Sequence, residues 1–127
     1  MKIEHIAIYC NDIERMRMFY ISMFGAASGV KYTNEKTGFT SYFLSFSDGA
    51  RLELMHIPHL RQREKERRCT GYAHLALSVG SKEQVDLMTR RLSEAGCPLV
   101  SPCRYTGDGY YESCVEDPEG NLIEITV

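Results

Sequence analysis

The chain has 127 residues, of which 43% are hydrophobic and 25% are charged, and its formal net charge is −2. This length and composition are typical of a globular protein with its own core, and they exclude disordered, collagen-like and coiled-coil classes. A charge so close to zero gives no general attraction to nucleic acid or membrane surfaces. We recognise no signal peptide and no apolar run near the roughly 18 residues of a membrane span. We therefore expect a cytoplasmic protein.

The cysteines and one charged run complete the compositional analysis. The five cysteines are odd in number, widely spaced and without a C-x-x-C pair, which indicates reduced thiols rather than a disulfide framework. The run RQREKERR, residues 61–68, has five basic and two acidic side chains. Mixed-sign runs of this kind are typical of a solvated linker or helix face. Binding of a substrate phosphate or carboxylate is the alternative for this run.

The sequence contains an internal repeat. The segment beginning EHIAIYCND aligns with the segment beginning AHLALSVGS, so that His5 falls on His74, 69 residues later. Further on, GARLEL at 49–54 falls on GNLIEI at 120–125, 71 residues later. Such periodicity indicates duplication of one structural unit. The two copies cover residues 1–57 and 70–127 of a single domain, and the charged linker between them covers about 58–69.

The first copy predicts a strand, a helix and further strands. A strand over 3–9 leads to a helix that Asn11 can cap, with Glu14 three residues on. Gly25 provides the helix stop, and its apolar positions recur at spacings of three and four. Two of the three strands that we expect to follow are residues 40–46 and 51–57.

The second copy predicts the same order. A strand over 72–79 leads to a helix that Ser81 can cap, with Gln84 three residues on, and Gly96 followed by Pro98 ends that helix. Two of its three later strands are residues 109–116 and 121–127. Each copy is therefore a βαβββ module, and the fold class is α+β. We expect two tandem modules with cupped mixed sheets and helices on the outer face.

The alternation of side chains along the strands separates two faces of each sheet. On the strands that carry them, His5 and Glu53 point away from the aliphatic residues beside them. His74 and Glu124 do the same in the second copy. Since the aliphatic face must receive the helix, these four side chains are left on the open face at repeat-equivalent positions.

Two imidazoles and two carboxylates are suitable ligands for one divalent transition ion. They leave two positions of an octahedron for water or substrate, and nickel, cobalt, manganese, iron or zinc would accept these donors. A single histidine or glutamate on a strand is more often structural or solvated. The occurrence of all four at equivalent positions favours a metal site formed by His5, Glu53, His74 and Glu124.

The same residues lie in motifs that resemble the vicinal oxygen chelate superfamily, which includes glyoxalases, bleomycin-resistance proteins and dioxygenases. The resemblance covers essentially the whole chain and is carried by EHIAI, a following FY and FGA, YAHLALSV and VEDPEGNLIEI. The last motif, D-P-x-G-x-x-I-E, is the most specific. The quartet is most similar to that of bacterial lactoylglutathione lyases (glyoxalase I), whose ligands are His, Glu, His and Glu in this order.

This resemblance implies a metal-dependent isomerase that acts on a thiol–ketoaldehyde adduct through an enediolate. It implies Glu124 as the first choice of catalytic base, with Glu53 as the second catalytic carboxylate. It also implies one divalent ion per site, with nickel or cobalt favoured and zinc or manganese possible. Finally, it implies a small-molecule substrate and a homodimer whose sites combine first-half ligands of one subunit with second-half ligands of the other.

Two positions depart from the glutathione-using enzymes of this family. Tyr9 stands where they have an arginine and Ile57 where they have an asparagine, and both family residues contact the glutathione peptide. The metal site therefore carries over better than the substrate. The alternatives are an acyl-CoA epimerase, fosfomycin-type epoxide opening, and a non-catalytic protein that binds an antibiotic or another small molecule.

Other residues with possible roles are given structural interpretations. His56 and His59 flank Pro58, and we interpret both as linker residues, with His56 opposite Glu53 if the strand extends that far. Cys10 and Cys114 have no adjacent base and are expected to be small buried residues. Tyr110 and Tyr111 fit either the mouth of a pocket or an ordinary sheet surface.

Overall fold

The computed structural model describes residues 1–61 and 70–127. The chain divides into two compact units, Met1–Glu64 and Lys65–Val127, called here unit 1 and unit 2. This division coincides with the two copies that the repeat predicts. That the units together form one domain stays a prediction.

Within residues 1–61, unit 1 contains one helix and five strands. They are β1 (His5–Tyr9), α1 (Ile13–Phe24), β2 (Ala27–Ser28), β3 (Tyr32–Asn34), β4 (Phe39–Ser45) and β5 (Arg51–His56). The sheet order is β1-β5-β4-β2, and β3 also pairs with β4. Since β1 is parallel to β5 and the other pairs are antiparallel, the sheet is mixed.

From residue 70 onward, unit 2 contains one helix and four strands. They are β6 (Leu75–Ser78), α2 (Lys82–Glu94), β7 (Leu99–Tyr105), β8 (Tyr111–Glu116) and β9 (Leu122–Thr126). The sheet order is β6-β9-β8-β7, with β6 parallel to β9 and the other two pairs antiparallel. Pro102 lies in the edge strand β7, where the missing N–H costs no interior ladder bond. The predicted βαβββ order and the α+β class are confirmed in this unit.

Unit 1 differs from the prediction by one additional strand. Between the pairs Ser28–Leu44 and Tyr32–Ser41, the three residues 29–31 lie opposite the two residues 42–43 of β4. The extra residue interrupts the expected single strand, as a bulge does, and divides it into β2 and β3. The Gly29 N–H still donates to the Phe43 carbonyl at 2.8 Å, so the ladder continues through the interruption.

The caps of the two helices are only partly as predicted. The Asp12 carboxylate, not Asn11, caps α1 by accepting the Arg15 N–H at 2.9 Å. The Glu14 Oε1 accepts hydrogen bonds from Lys31 Nζ at 2.8 Å and the Tyr42 hydroxyl at 2.9 Å. Its carboxylate thus ties the helix to the sheet.

The start of α2 and both helix ends confirm the prediction. The Ser81 hydroxyl accepts the Gln84 N–H at 3.3 Å. Gly25 ends α1 with φ 67°, and Gly96 follows α2 with φ 87°. The Gly96 N–H donates to the Ser93 carbonyl and the Cys97 N–H to the Leu92 carbonyl, each at 3.0 Å, which is the Schellman arrangement.

Each core lies between one helix and the aliphatic face of its own sheet. In both units the residues that flank the site glutamates are almost fully buried, as the alternation predicts. The buried apolar residues at these positions and on the two helices include Leu52, Leu54, Met16 and Tyr20 in unit 1, and Ile123, Ile125, Val85 and Leu92 in unit 2. The polar residue Thr89 is also buried on α2, which the apolar spacing did not predict.

Two expectations from composition can be compared with the described residues. Neither helix among residues 1–61 and 70–127 has the length and apolar character needed to cross a membrane. The four described cysteines, Cys10, Cys97, Cys103 and Cys114, form no disulfide bond with one another, and Cys69 lies outside the described residues. The interpretation of 61–68 as a linker or an anion-binding run also falls almost wholly outside them.

Candidate metal centre

The two site glutamates occupy equivalent positions in the two sheets. Glu53 on β5 pairs in register with Ala7 on the parallel strand β1, and Glu124 on β9 pairs with Ala76 on the parallel strand β6. In each unit the histidine precedes that alanine by two residues, so its side chain is on the same face. The symmetry of the repeat therefore extends to the placement of the predicted ligands.

In unit 1 the structure brings His5 and Glu53 together. The distance from His5 Nε2 to Glu53 Oε2 is 3.8 Å, and their side chains are 40% and 14% exposed. The carboxylate is thus well shielded while the imidazole is accessible. This pair lies on the face opposite the buried Leu52 and Leu54.

Two charged residues that the sequence analysis missed hold the other side of His5. The His5 Nδ1 lies 2.5 Å from Glu4 Oε2, and Glu4 Oε1 accepts a hydrogen bond from Arg51 Nε at 2.8 Å and a second from Arg51 Nη2. The hydrogen bonds from His5 and Arg51 lower the pKa of Glu4. The Arg51 guanidinium carbon lies 4.1 Å from the Phe43 ring centre, and that ring meets the His5 imidazole edge-on at 5.4 Å.

Unit 2 forms the equivalent pair with different surroundings. The distance from His74 Nε2 to Glu124 Oε2 is 3.5 Å, and their side chains are 41% and 18% exposed. The D-P-x-G motif forms the turn before β9. There the buried Asp117 Oδ1 accepts the N–H groups of Glu119 and Asn121, both at 2.9 Å. This turn sets the start of the strand on which Glu124 lies.

A pocket of about 430 Å³ opens beside Glu124 within unit 2. Its lining combines carboxylates, threonine hydroxyls and one aromatic ring, from Thr106, Asp108, Tyr110, Glu112, Glu124, Thr126 and Val127. A volume of this size is that of a small-molecule site. The pocket therefore offers space for a ligand next to one of the predicted catalytic carboxylates.

The electrostatics of this pocket affect Glu124 directly. Burial raises the pKa of Glu124, the His74 ring opposes this rise, and the neighbouring Glu112 adds to it. Glu112 is itself paired with Arg104, whose Nη1 lies 3.0 Å from Glu112 Oε1. A carboxylate with a raised pKa is a better proton acceptor than an ordinary exposed one.

The predicted four residues thus appear as two His–Glu pairs, one in each unit. Among residues 1–61 and 70–127, no group of three or more His, Cys, Asp or Glu side chains is arranged to hold a metal ion. The donor chemistry of each pair nevertheless fits a divalent ion. Donor separations of 3.5 and 3.8 Å are near the roughly 3 Å between adjacent ligands at bond lengths of about 2.1 Å.

Sequence signals existed for Glu4 and Glu112 but not for Arg51. Glu4 immediately precedes His5, whereas Arg51 is brought beside His5 only by the parallel pairing of β1 and β5. Glu112 alternates with Cys114 along β8, and Cys114 pairs in register with Glu124. Alternation applied to the neighbouring strands would have assigned Glu112 to the site face.

The two positions that depart from the glutathione-using enzymes lie at the ends of the site strands. Tyr9 is the last residue of β1, is 51% exposed and pairs in register with Met55. Ile57 directly follows β5. Neither side chain offers the positive charge or the amide that those enzymes place there.

The histidines of the MHIPHL segment are separated by the structure. His56 is the last residue of β5 and not part of a linker, and its Nδ1 lies 2.9 Å from the Cys10 carbonyl oxygen. It points to the face opposite Glu53, as alternation predicts. His59 lies in the following turn with φ 61°.

The predictions for cysteines and tyrosines are half confirmed. Cys10 is fully buried, whereas Cys114 is only half-buried on the face of Glu124. Tyr110 lines the pocket. Tyr111 instead faces the helix, and its hydroxyl lies 2.6 Å from Asp86 Oδ1 on α2.

Comparison with known proteins agrees with this fold. Residues 2–125 match the family model described as the glyoxalase/bleomycin resistance protein/dioxygenase superfamily. The chain belongs to this superfamily. It is 32% identical over 94 residues to the uncharacterized protein YwkD of Bacillus subtilis, an alignment that covers 74% of this chain and 71% of that one.

Solved structures of glyoxalase I are similar in fold. Glyoxalase I from Zea mays superposes with a TM-score of 0.81 at 19% identity over 98% of this chain, which spans 44% of the maize protein. The trypanothione-dependent glyoxalase I of Leishmania major gives 0.78 at 21% identity, covering 99% of this chain and 86% of that one. At such identities the likeness concerns the fold alone.

Proposed function

We propose that this protein is a metal-dependent enzyme of the glyoxalase I type, which isomerises a thiol–ketoaldehyde adduct. The observation that carries the proposal is the pair of His–Glu sets at equivalent positions on the open faces of both sheets. A protein that only sequestered a ligand would have no need of four ionisable ligands placed by symmetry. A cytoplasmic location stays a prediction.

His5, Glu53, His74 and Glu124 would hold one divalent ion. Nickel or cobalt is favoured by the resemblance, and zinc or manganese would accept the same donors. When bound, the ion supplies Lewis-acid polarisation of two neighbouring substrate oxygens. Since imidazole nitrogens and carboxylates bind metals only when deprotonated, affinity should fall as the pH drops through the histidine range.

Glu124 is the proposed base. Its carboxylate borders the pocket, where a bound adduct would lie. It would take the carbon-bound proton of the adduct onto a carboxylate oxygen, and a proton returned to the neighbouring carbon completes the isomerisation. Glu53 is the second carboxylate, which takes or returns the proton on the opposite side. The reaction is an internal redistribution that needs no oxidant.

The quaternary arrangement belongs to the same proposal. Each unit supplies only one His–Glu pair, so a complete ligand set needs two units. Following the resemblance, we infer a homodimer whose two sites each join the first pair of one subunit to the second pair of the other. A stable monomer in light scattering that still binds one metal ion would contradict this arrangement.

The deciding experiment is reconstitution with nickel, cobalt, manganese or zinc, followed by assay with methylglyoxal and several thiols. We expect turnover with at least one metal and one thiol, with loss in Glu124→Gln and retention in the matched control Glu94→Gln. Glu94 is an exposed residue at the end of α2, remote from the pocket lining. Failure with every thiol, together with tight binding of an unmodified ligand, would make the protein a binding module.

A substrate other than glutathione is part of this test. Tyr9 and Ile57 offer no charge and no amide to a peptide thiol, so several thiols and an acyl thioester must be included. Exchange of a carbon-bound proton in an acyl thioester, without turnover of any ketoaldehyde adduct, would favour the epimerase. Opening of an epoxide such as fosfomycin would favour the epoxide-opening enzyme.

A further inference from the structure

The surroundings of His5 and His74 differ although the two pairs are equivalent. In unit 1 the carboxylate of Glu4 lies against His5 Nδ1, on the side of the ring away from Glu53. At the position equivalent to Glu4, unit 2 has Ala73, which has no polar side chain. Of the two equivalent positions, therefore, only the one before His5 carries a carboxylate.

Glu4 is itself fixed by several contacts. The Arg51 side chain donates two hydrogen bonds to Glu4 Oε1, and the Arg51 backbone N–H donates to the Glu4 carbonyl at 3.0 Å. Phe43 completes the ring of contacts, because it lies under the Arg51 guanidinium and meets the His5 ring edge-on. Unit 2 has Leu122 and Cys114 at the corresponding positions, so neither partner is repeated.

We propose that Glu4 is a positioning residue that holds His5 in the Nδ1–H tautomer, with the Nε2 lone pair directed at the metal, while Arg51 holds Glu4. The inference deepens the proposed function and rests on it only for the metal. The hydrogen bond at one ring nitrogen decides which nitrogen keeps the proton. A carboxylate behind a metal-binding imidazole fixes the ring orientation and increases its basicity.

A consequence is that the two halves of the metal site are unequal. The unit 1 pair is prearranged by Glu4 and Arg51 before any ion arrives. At the positions equivalent to Glu4 and Arg51, the unit 2 pair has the apolar residues Ala73 and Leu122, and it lies beside the open pocket. The unit 1 pair should therefore contribute more of the metal affinity, and the unit 2 pair should be freer to adjust during turnover.

The test observes the imidazole nitrogens of the metal-free protein by long-range ¹⁵N–¹H NMR, at about two pH units above the ordinary histidine pKa. Single His→Gln variants assign the four histidines. We expect His5 to be mainly the Nδ1–H tautomer in the wild type and to shift toward Nε2–H in Glu4→Ala. His74 should not change. The control Glu35→Ala, at an exposed turn residue, should leave His5 as it is.

A metal titration separates this inference from the proposed function. With nickel or cobalt we expect Glu4→Ala to weaken binding by roughly 10- to 100-fold, and Arg51→Lys to weaken it less, because the ammonium keeps the charge but not the fork. An unchanged His5 tautomer in folded Glu4→Ala would overturn the positioning role. A wild-type protein that binds no divalent ion would overturn the proposed function instead.

Discussion

Glu53 and Glu124 each pair in register with an alanine on the neighbouring parallel strand, in two sheets that the chain builds separately. The partly buried carboxylates, 14% and 18% exposed, are held by the strands rather than by loops. Such placement on rigid elements suits a site whose ligands must be prearranged.

The sharing of sites between subunits can be tested by complementation. Consider a purified heterodimer of one His5→Ala subunit and one Glu124→Gln subunit. If the sites lie between subunits, both substitutions fall in the same site, and the other site keeps all four residues. We therefore expect about half of the wild-type turnover, although each variant homodimer is inactive. Differently tagged subunits allow the heterodimer to be isolated before assay.

Sites within single chains would give a different result in that heterodimer. Each subunit would then carry one defect, and no turnover would appear. As a matched control, a heterodimer of Glu94→Gln and Glu124→Gln subunits should give half of the wild-type turnover under either arrangement. This control shows that the tagged heterodimer itself is competent.

The pocket beside Glu124 should discriminate between thiol adducts by charge. Asp108, Glu112 and Glu124 line it, so an anionic adduct meets like charges. Replacing Asp108 with Asn should lower the KM of an anionic adduct by roughly 2- to 5-fold, and that of a neutral adduct much less, because interactions of exposed charges are weak. Steady-state kinetics with paired anionic and neutral thiols measure this difference.

Ionic strength should change this preference between anionic and neutral adducts. The benefit of Asp108→Asn for the anionic adduct should diminish as ionic strength rises toward 0.5 M, since screening weakens charge interactions of exposed groups. The control Glu94→Gln changes the net charge equally but lies outside the pocket lining. An equal effect of both variants would mean that the net charge of the protein, not the pocket, sets the preference.

The Glu14 carboxylate should make stability dependent on pH in the acidic range. Its hydrogen bond from Lys31, followed by that from Tyr42, lowers the pKa of Glu14 below the ordinary value of 4.5. The folded state therefore gains stability above pH 4.5 and loses it as the pH falls through the lowered pKa. Because the side chain is 51% exposed, the gain is under about 1 kcal/mol.

Urea unfolding of Glu14→Gln against wild type at several pH values measures this gain. The difference in the free energy of unfolding should be largest near neutral pH and should disappear at a pH below the folded pKa of Glu14. For comparison, the free energy of unfolding of Glu94→Gln should differ little from that of the wild type at any of these pH values. A Glu14→Gln effect that persists unchanged in acid would show that the lost interaction is not ionic.

The helix ends should be sensitive to glycine replacement. Gly25 and Gly96 have φ 67° and 87°, and a Cβ built on either would have no atom within 4 Å. Alanine at either position should therefore cost about 1 kcal/mol through backbone strain alone. Gly107 also has no atom within 4 Å of a built Cβ, and its φ lies outside the left-handed range. Thermal unfolding of the three alanine variants measures these costs, and Gly107→Ala should be nearly neutral.

Much of this architecture was determined locally by the amino-acid sequence. Strand alternation separated the aliphatic and open faces correctly, because the period of two residues is a property of the extended backbone. The helix stops at Gly25 and Gly96 were likewise predictable, since the left-handed conformation favours glycine whatever the surroundings. The two His–Glu pairs followed from these faces and the repeat.

The tertiary structure decided which side chains complete each pair. Asn11 and Asp12 are both good capping residues, and Asp12 caps while Glu14 turns to Lys31 and Tyr42 across the sheet. Arg51 reaches Glu4 only because β1 and β5, distant in sequence, pair in parallel with His5 opposite Arg51. Long-range register depends on the packing of the whole sheet. The chain's own periodicity therefore predicted the two His–Glu pairs, while strand pairing decided which residues lie beside them.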